Sequence, residues 1–237
     1  MYSIEPIGYV HTKYREKFGI PRQSGLVESP GIITFLPPYD DANAFRGLEE
    51  YDYIWVLWLC TEFMDSDGQI EWRPTVRPPR LGGNERRGVF ATRSPVHPNG
   101  IGMSCVKLES VGPEGLRVSG VDMMDGTPVI DIKPYVSFAD SYPDARSSFA
   151  GNAEDERLKV LVVDGAIEGL GELPEDFAPV LHEIKQIIAL NPKPRYQEDS
   201  ERIYGLSYGD YEIKFSIDGD KATIRSIQSA SSDPEFL

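Results

Sequence analysis

The sequence is poor in the residues that build metal centres and disulfides. It has two cysteines, Cys60 and Cys105, each within an apolar run, and three widely separated histidines. No cysteine or histidine pair has the spacing typical of zinc ligands, so we expect no metal site. The two thiols are predicted to be reduced and to lie in the core.

Long apolar runs and glycine-rich nucleotide loops are also missing. No stretch of about 18 apolar residues occurs, so the sequence predicts no membrane-spanning helix. Residues 1–10 lack the basic start and apolar run of a secretory signal, and we expect a cytoplasmic location. No strand-like segment is followed by G-x-G-x-x-G and a helix, which argues against a Rossmann fold.

The chain is acidic, with one strongly basic segment. Its net charge is −14, which argues against a general nucleic-acid coat protein. From Arg73 to Arg93, however, six arginines and a single acid, Glu85, give a net charge of +5, so the remainder carries −19. A focused positive patch on an acidic body is typical of a local contact with a polyanion.

The first 135 residues are rich in β-branched and aromatic residues, punctuated by glycine and proline. This pattern predicts several short strands and hence an antiparallel β-barrel or sandwich, with one short helix near residues 42–49. The predicted strands are Ile4–Val10, Gly31–Leu36, Tyr53–Cys60, Gly88–Thr92, Ser104–Val111, Leu116–Val121 and Val129–Lys133.

The composition changes after residue 143. Residues 146–157 are small and polar and predict a linker, and residues 158–237 predict a small α+β lobe. We therefore expect a mainly β protein with two domains. These are a strand-rich domain, barrel or sandwich, at residues 1–145 and a small α+β domain at residues 155–237.

The C-terminal part carries clear helix and hairpin signals. Apolar residues recur at helical spacing over residues 177–188, and Asn191-Pro192 is expected to end that helix. The strand-like segments Tyr211–Ile217 and Ala222–Ile227 flank Asp218-Gly219, which predicts a tight hairpin between them.

The densest functional signal is WRPTVRPPRLGGNERRGVFATRSPVHPNGIG, residues 72–102. Its five prolines restrict the backbone and remove N–H donors, so a stiff, shaped loop is predicted. Arginines held in such a loop suit bidentate contacts with phosphate or carboxylate. The alternative is a solvated loop whose arginines pair with acidic side chains of the protein itself.

Two further segments carry weaker signals. In GVDMMDGTPVIDIKPY, Asp125-Gly126-Thr127-Pro128 predicts a turn, with Asp122 before it and Asp131 after it. Carboxylates beside a turn accept hydrogen bonds from ribose hydroxyls or an ammonium group, unless Asp125 merely bonds its own backbone. In FGIPRQSGLV, Gln23 is able to read an adenine edge, although a plain loop is the alternative.

Four words in order carry a family resemblance: PRQSGLV, RGLEEYDYIWVLW, WRPTVRPPRLGGNERRGVFATRSPVHPNGIGMS and DMMDGTPVIDIKPY. They resemble the TsaA-like, TrmO-type family, whose members are tRNA (N6-threonylcarbamoyladenosine-37)-N6-methyltransferases. The resemblance covers residues 3–150, and more loosely Pro194-Arg195-Tyr196. It implies a homodimer with an S-adenosylmethionine site on a β-barrel, acting on the tRNA anticodon loop.

The resemblance also implies site residues, position by position. The family uses a residue pair after the aromatic strand that usually contains histidine, and this chain has Thr61 and Glu62 there. His97 likewise replaces an aromatic or basic residue, and a structural role is the alternative to a catalytic one. The implied cofactor-binding residues are Pro21, Arg22, Gln23, Thr61, Glu62, Arg93, Met123, Met124, Asp125 and Gly126.

Methylation at N6 requires a group that accepts the N6 proton or orients the lone pair. Asp125 and Asp131 are chemically suitable, and so is a backbone carbonyl of the tight turn. The threonylcarbamoyl carboxylate is expected to meet an arginine of the basic segment. The residues predicted to bind RNA are Arg73, Arg77, Arg80, Arg86 and Arg87.

Two other functional classes remain open at this point. A non-catalytic barrel that binds S-adenosylmethionine or RNA would show the same motifs. An enzyme acting on small molecules is a third possibility.

Overall fold

The computed structural model describes residues 4–78, 85–150, 157–171, 173–193 and 201–230. Six antiparallel strands form a closed barrel in the order β1-β2-β7-β6-β3-β8, and β8 pairs back to β1. Closure satisfies the backbone groups that an open sheet would leave at its edges. These strands are β1 (Gly8–Thr12), β2 (Pro30–Phe35), β3 (Tyr53–Leu59), β6 (Ile101–Gly112), β7 (Gly115–Ser119) and β8 (Thr127–Pro134).

Alternating side chains of the barrel strands fill its interior. Val10, Ile33, Ile54, Val56 and Val129 are fully buried, and they lie at every second position of their strands. This alternation is the pattern that the sequence shows in its strand-like runs. The predicted barrel is therefore confirmed.

One predicted strand and one predicted helix are wrong. The strand predicted at Gly88–Thr92 does not extend beyond Gly88, because Val89–Ala91 is a 3-10 turn closed by the Thr92 hydroxyl on the Val89 carbonyl. The β-branched residues there pack in a loop rather than a sheet, and strand propensity depends on such context. Nearby, the two-residue strand β4 (Thr75–Val76) pairs with β5 (Arg87–Gly88).

The helix predicted near residues 42–49 is replaced by two 3-10 turns. They span Ala42–Phe45 and Leu48–Glu50. Gly47, between them, has a positive φ of 86°, which breaks the helical path. After the barrel, a single helical turn, α1 (Ser137–Asp140), follows β8.

The C-terminal lobe is a four-stranded sheet packed against one helix. Its order is β10-β11-β12-β9, with β9 parallel to β12, and α2 supplies buried apolar side chains. Gly219 has a φ of 55° in the predicted Asp218-Gly219 hairpin. The elements are β9 (Lys159–Val162), α2 (Phe177–Ala189), β10 (Ile203–Tyr208), β11 (Tyr211–Asp218) and β12 (Lys221–Ser229).

A buried polar cluster joins the barrel to the C-terminal lobe. Glu183 of α2 accepts hydrogen bonds from Tyr208 Oη at 2.7 Å and from Lys13 Nζ at 2.9 Å. The Tyr14 ring meets the Tyr208 ring edge-on, with centroids 5.2 Å apart. A buried carboxylate is stable only when paired in this way, so the cluster specifies how the two parts dock.

Two other sequence expectations concern thiols and membranes. Cys60 and Cys105 are both unpaired thiols; Cys60 is buried, as predicted, whereas Cys105 is partly exposed. Within the described ranges, neither helix is long and apolar enough to cross a membrane.

Candidate active site

A cavity of about 320 Å³ opens at the end of the barrel where β3 ends and β6 begins. Its wall mixes apolar, cationic and acidic side chains, which is typical of a site for a polar small molecule. Four segments besides the two strands contribute to it, at residues 17–23, 60–63, 92–97 and 122–124. The lining residues are Lys17, Ile20, Pro21, Arg22, Gln23, Trp58, Cys60, Glu62, Phe63, Thr92, Arg93, Ser94, Pro95, His97, Ile101, Gly102, Met103, Asp122 and Met124.

The indole of Trp58 forms an aromatic wall of this cavity. Trp58 pairs with Gly102 across β3 and β6, and a Cβ on Gly102 would lie 2.2 Å from Trp58 Cε2. The ring therefore occupies the space above the glycine backbone. The β3–β8 register shifts between Leu57 and Trp58, and such a bulge re-aims a side chain next to a site.

Asp122 is a carboxyl group of the cavity wall whose pKa is clearly shifted. Ser104 Oγ donates to Asp122 Oδ1 at 2.5 Å, and Trp58 Nε1 donates to Ser104 Oγ at 3.0 Å. Burial raises the pKa of Asp122 to about 6, against the opposing effects of Ser104, backbone amides and the nearby Arg93. A carboxyl group that titrates near neutral pH inside a cavity is a functional-site candidate.

Three cations line the same cavity. Lys17 Nζ donates to the Glu62 carbonyl at 3.1 Å and lies 4.2 Å from the centroid of the Phe63 ring. Arg93 donates from Nη1 to Gln23 Oε1, which ties the PRQ segment to the basic segment. Arg22 is exposed and completes the set. Together they favour a carboxylate or another anion at this side of the cavity.

The structure separates the two residues that stand where the family usually has a histidine-containing pair. Both belong to the 3-10 turn Thr61–Phe63 that follows β3. Glu62 lines the cavity, whereas Thr61 is exposed and is not among the lining residues of the described chain.

The residues of the DMMDGTP motif also differ in whether they line the cavity. Met124 lines the cavity, but the Met123 side chain is buried in the barrel core. Asp125 faces β1 instead, accepting from Thr12 N at 3.0 Å, with His11 Nδ1 at 3.8 Å. Gly126 N donates to the Val10 carbonyl at 2.9 Å. Three of these four residues therefore shape the turn rather than the cavity wall.

Neither carboxylate proposed from the sequence as the proton acceptor reaches this cavity. Asp131 lies on β8 and pairs with Lys133 Nζ at 2.7 Å, and Asp125 is held against β1. Both are absent from the cavity wall formed by the described residues. Asp122, three residues earlier in the same word, is present there, and its sequence signal was only its place beside the turn.

Some arginines of the basic segment pair with acidic side chains close to them in the sequence. Arg73 lies 3.4 Å from Glu71, and Arg87 lies 2.7 Å from Glu85. Arg86 donates to the Thr75 hydroxyl at 2.8 Å, and Arg77 is exposed. Arg80 lies outside the described residues, as does Pro194-Arg195-Tyr196.

Two other side chains with reactive groups, His97 and Cys60, lie in surroundings that favour a structural role. His97 Nε2 lies 3.1 Å from the Thr92 carbonyl, and its ring meets the Phe90 ring edge-on. Burial raises the pKa of the Cys60 thiol to about 12, so it is a poor nucleophile. In the described part of the chain, no group of three or more His, Cys, Asp or Glu side chains is arranged to hold a metal ion.

Both halves of the chain match family models. Residues 9–141 match the tRNA-methyltransferase O N-terminal domain, and residues 155–230 match the TrmO C-terminal domain. The tRNA (adenine(37)-N6)-methyltransferase of Escherichia coli (strain K12) is 40% identical over 223 residues, 91% of this chain and 93% of that protein. A putative S-adenosylmethionine-dependent methyltransferase of Pseudomonas aeruginosa, RcsF, is 40% identical over 90% of this chain and 91% of its own.

Solved structures agree with these matches. A crystal structure of TrmO from Pseudomonas aeruginosa superposes with a TM-score of 0.79 at 33% identity, covering 97% of this chain and 98% of that one. The closed barrel with its end cavity and attached α+β lobe thus defines a β-barrel methyltransferase. The chain belongs to the TrmO family.

Proposed function

We infer that this protein transfers a methyl group from S-adenosylmethionine to N6 of adenine 37 in tRNA. The observation that carries the inference is the cavity itself, because the PRQ segment, Arg93 and Met124 meet there from distant parts of the chain. A relative of similar length that is named for this activity supports it. A non-catalytic binding barrel is not favoured.

The cavity residues fit S-adenosylmethionine. Its ammonium group would be held by the carboxylate of Glu62, and its carboxylate by Arg22 or Arg93. Trp58 offers a flat apolar face for the adenine ring. When bound, the cofactor supplies a methyl group on a positively charged sulfur.

We propose that the remaining motif residues act on this site indirectly. Pro21 is buried and fixes the loop that carries Arg22 and Gln23. Met123 anchors the 122–124 segment in the core, and the Asp125-Gly126 turn holds that segment against β1. Thr61 would contribute through its backbone.

The protein's part in the reaction is mainly alignment and exclusion of water. The methyl carbon must meet N6 in line with the bond to sulfur, so both reactants have to be held rigidly. Trp58 and Met124 form apolar walls that keep water from the reacting atoms. The proton on N6 must also leave, so a group in the cavity has to accept it.

For the substrate, we propose N6-threonylcarbamoyladenosine rather than plain adenosine. The proposal rests on the family resemblance, and the cation-rich side of the cavity supports it, since the threonine carboxylate needs a cationic partner. We further propose that the arginine-rich segment, including Arg73, Arg77, Arg80, Arg86 and Arg87, holds the tRNA phosphates. The internal pairs of Arg73 and Arg87 would then exchange acidic partners for phosphate.

We also propose a cytoplasmic homodimer built from two domains, at residues 1–145 and 155–237. Large apolar side chains stand on the surface after β8, where Phe138 is 90% exposed and Tyr142 is 74% exposed. Large apolar side chains that are exposed in this way are typical of an interface. Sedimentation of the wild type and of Phe138→Glu tests it: a dimer that dissociates in the variant is expected, and a monomeric wild type would contradict it.

Methyl transfer is tested with radiolabelled S-adenosylmethionine and tRNA from cells that lack the enzyme. Label should appear only in tRNA that carries the threonylcarbamoyl group, and nucleoside mass spectrometry should place it on N6. Equal labelling of tRNA with and without that group would contradict the substrate proposal. Binding of S-adenosylmethionine without any transfer would contradict the activity and favour a binding module.

A further inference from the structure

We propose that the carboxylate of Asp122 is the proton acceptor for N6 of the target adenosine. It would thus be the catalytic base of the methyl transfer. The inference rests on the function proposed above and assigns a residue to its least specified step. Asp122 takes the place of Asp125 and Asp131 as the candidate base, because the carboxylates of those two residues lie away from the cavity.

The composition of the cavity wall narrows the choice of base. Among the described residues, its carboxylates are those of Glu62 and Asp122. Glu62 sits on the 3-10 turn after β3, which also carries the exposed Thr61. Asp122 lies instead beside the interior of the barrel, next to the fully buried Ser104. Cys60 is a protonated thiol, because burial raises its pKa to about 12, and His97 Nε2 lies 3.1 Å from the Thr92 carbonyl.

A relay of two hydrogen bonds fixes the Asp122 carboxylate. The indole N–H of Trp58 is a donor only, so it occupies an acceptor site of Ser104 Oγ. The single Ser104 proton is thereby directed to Asp122 Oδ1. A base must be held within hydrogen-bond reach of one substrate proton, and this relay restricts the carboxylate to one orientation.

The surroundings of Asp122 suit a base that works near neutral pH. Burial raises its pKa, while the Ser104 hydroxyl and the Arg93 charge oppose the rise and keep it within reach of physiological pH. The carboxylate is then ionised at pH 7 and above, yet it is more basic than an ordinary aspartate. General bases work best when their pKa lies near the operating pH.

The proposed step balances in atoms and charge. N6 forms its bond to the methyl carbon as the carbon–sulfur bond breaks, and the electron pair of that bond remains on sulfur, which becomes a neutral thioether. The N6 proton passes to Asp122, which becomes a neutral acid and later returns the proton to solvent. One positive and one negative charge disappear together, and a water-poor cavity favours this.

The primary test is Asp122→Asn, which keeps the size of the side chain and an acceptor for Ser104. We expect kcat to fall by about 10²–10⁴-fold, while the calorimetric Kd for S-adenosylmethionine changes by less than about threefold. Asp210→Asn, an exposed carboxamide substitution in the C-terminal lobe, is the matched control and should keep wild-type kinetics. Wild-type kcat in Asp122→Asn would overturn the proposal. Loss of cofactor affinity with full kcat at saturation would also overturn it.

Two readouts do not depend on how well Asp122→Asn folds. In the ligand-free wild type, carboxyl-carbon NMR should show Asp122 titrating near pH 6, and kcat/KM should fall below that pH. In Ser104→Ala, loss of the hydrogen bond that favours the ionised form should move the acid limb to higher pH. An acid limb that does not move, or a titration near the ordinary aspartate value of about 4, would contradict the proposal.

The activity of the wild type separates a wrong function from a wrong catalytic base. If the wild type transfers no methyl group to any tRNA, the proposed function is wrong. If the wild type is active and Asp122→Asn is equally active, only the assignment of the base is wrong.

Discussion

Trp58 stands directly over Gly102, and a single methyl group on that glycine would lie 2.2 Å from Trp58 Cε2. The indole thereby reaches Ser104, which in turn holds Asp122. The hydrogen bonds from Trp58 to Ser104 and from Ser104 to Asp122 thus depend on a glycine at position 102. Any side chain at position 102 should displace the Trp58 indole from its place in the cavity wall.

Gly102→Ala should therefore weaken cofactor binding by displacing the indole. Overpacking of this kind costs about 1–3 kcal/mol of folding free energy, and calorimetry should show a clearly higher Kd for S-adenosylmethionine. Gly112→Ala, on the same strand, is the control, because its added Cβ would have nothing within 4 Å. Equal behaviour of the two variants would show that the Trp58–Gly102 contact is unimportant.

Glu183→Ala should loosen the contact between the barrel and the C-terminal lobe. The substitution leaves Lys13 and the buried Tyr208 hydroxyl without their acceptor, which should lower the free energy of unfolding by about 2–4 kcal/mol. Asp210→Ala breaks the exposed pair with Arg15 and should cost less than about 1 kcal/mol. Denaturant unfolding measures both, and the prediction is refuted by similar losses in the two variants.

Arg77→Ala should reduce the salt dependence of tRNA binding and leave cofactor affinity unchanged. Each arginine–phosphate contact adds roughly 0.7–0.9 to the slope of log affinity against log salt, so the slope should fall by about one unit. Arg93→Ala should do the reverse, with weaker cofactor binding and a near-normal slope, because Arg93 contacts Gln23 at the cavity. Arg117→Ala, an exposed arginine on β7 paired with Glu114, should change neither quantity. A wild-type slope in Arg77→Ala would indicate that this loop does not hold the tRNA.

Thr61→Ala should have only a modest effect, since the side chain is exposed and lies off the cavity wall. We expect its Kd for S-adenosylmethionine to rise by less than about tenfold, or ~1.4 kcal/mol. Glu62→Gln, which neutralises a lining carboxylate, should weaken binding more. Calorimetry on the two variants decides the order, and the opposite order would assign the contact to Thr61.

The amino-acid sequence by itself determined the strand-rich first part, the C-terminal hairpin and the family, and the family resemblance in turn implied the barrel. Strand alternation, turn glycines and long words such as RPPRLGGN and DGTPVIDIKPY are local properties, because they depend on neighbours close along the chain. Predicted strands such as Tyr53–Cys60 match the observed Tyr53–Leu59 within a residue. Where β-branched residues pack in a loop, as at residues 88–92, the same local signal fails.

Only the tertiary structure decided which carboxylate faces the cavity. Asp122 and Asp125 lie three residues apart in one motif, yet Asp122 turns toward Ser104 and Trp58 while Asp125 turns toward Thr12. That choice depends on β1, β3 and β6 closing around the turn from distant parts of the chain. Burial then raises the pKa of Asp122. Desolvation is set by everything packed around a group, so no spacing within the motif encodes it.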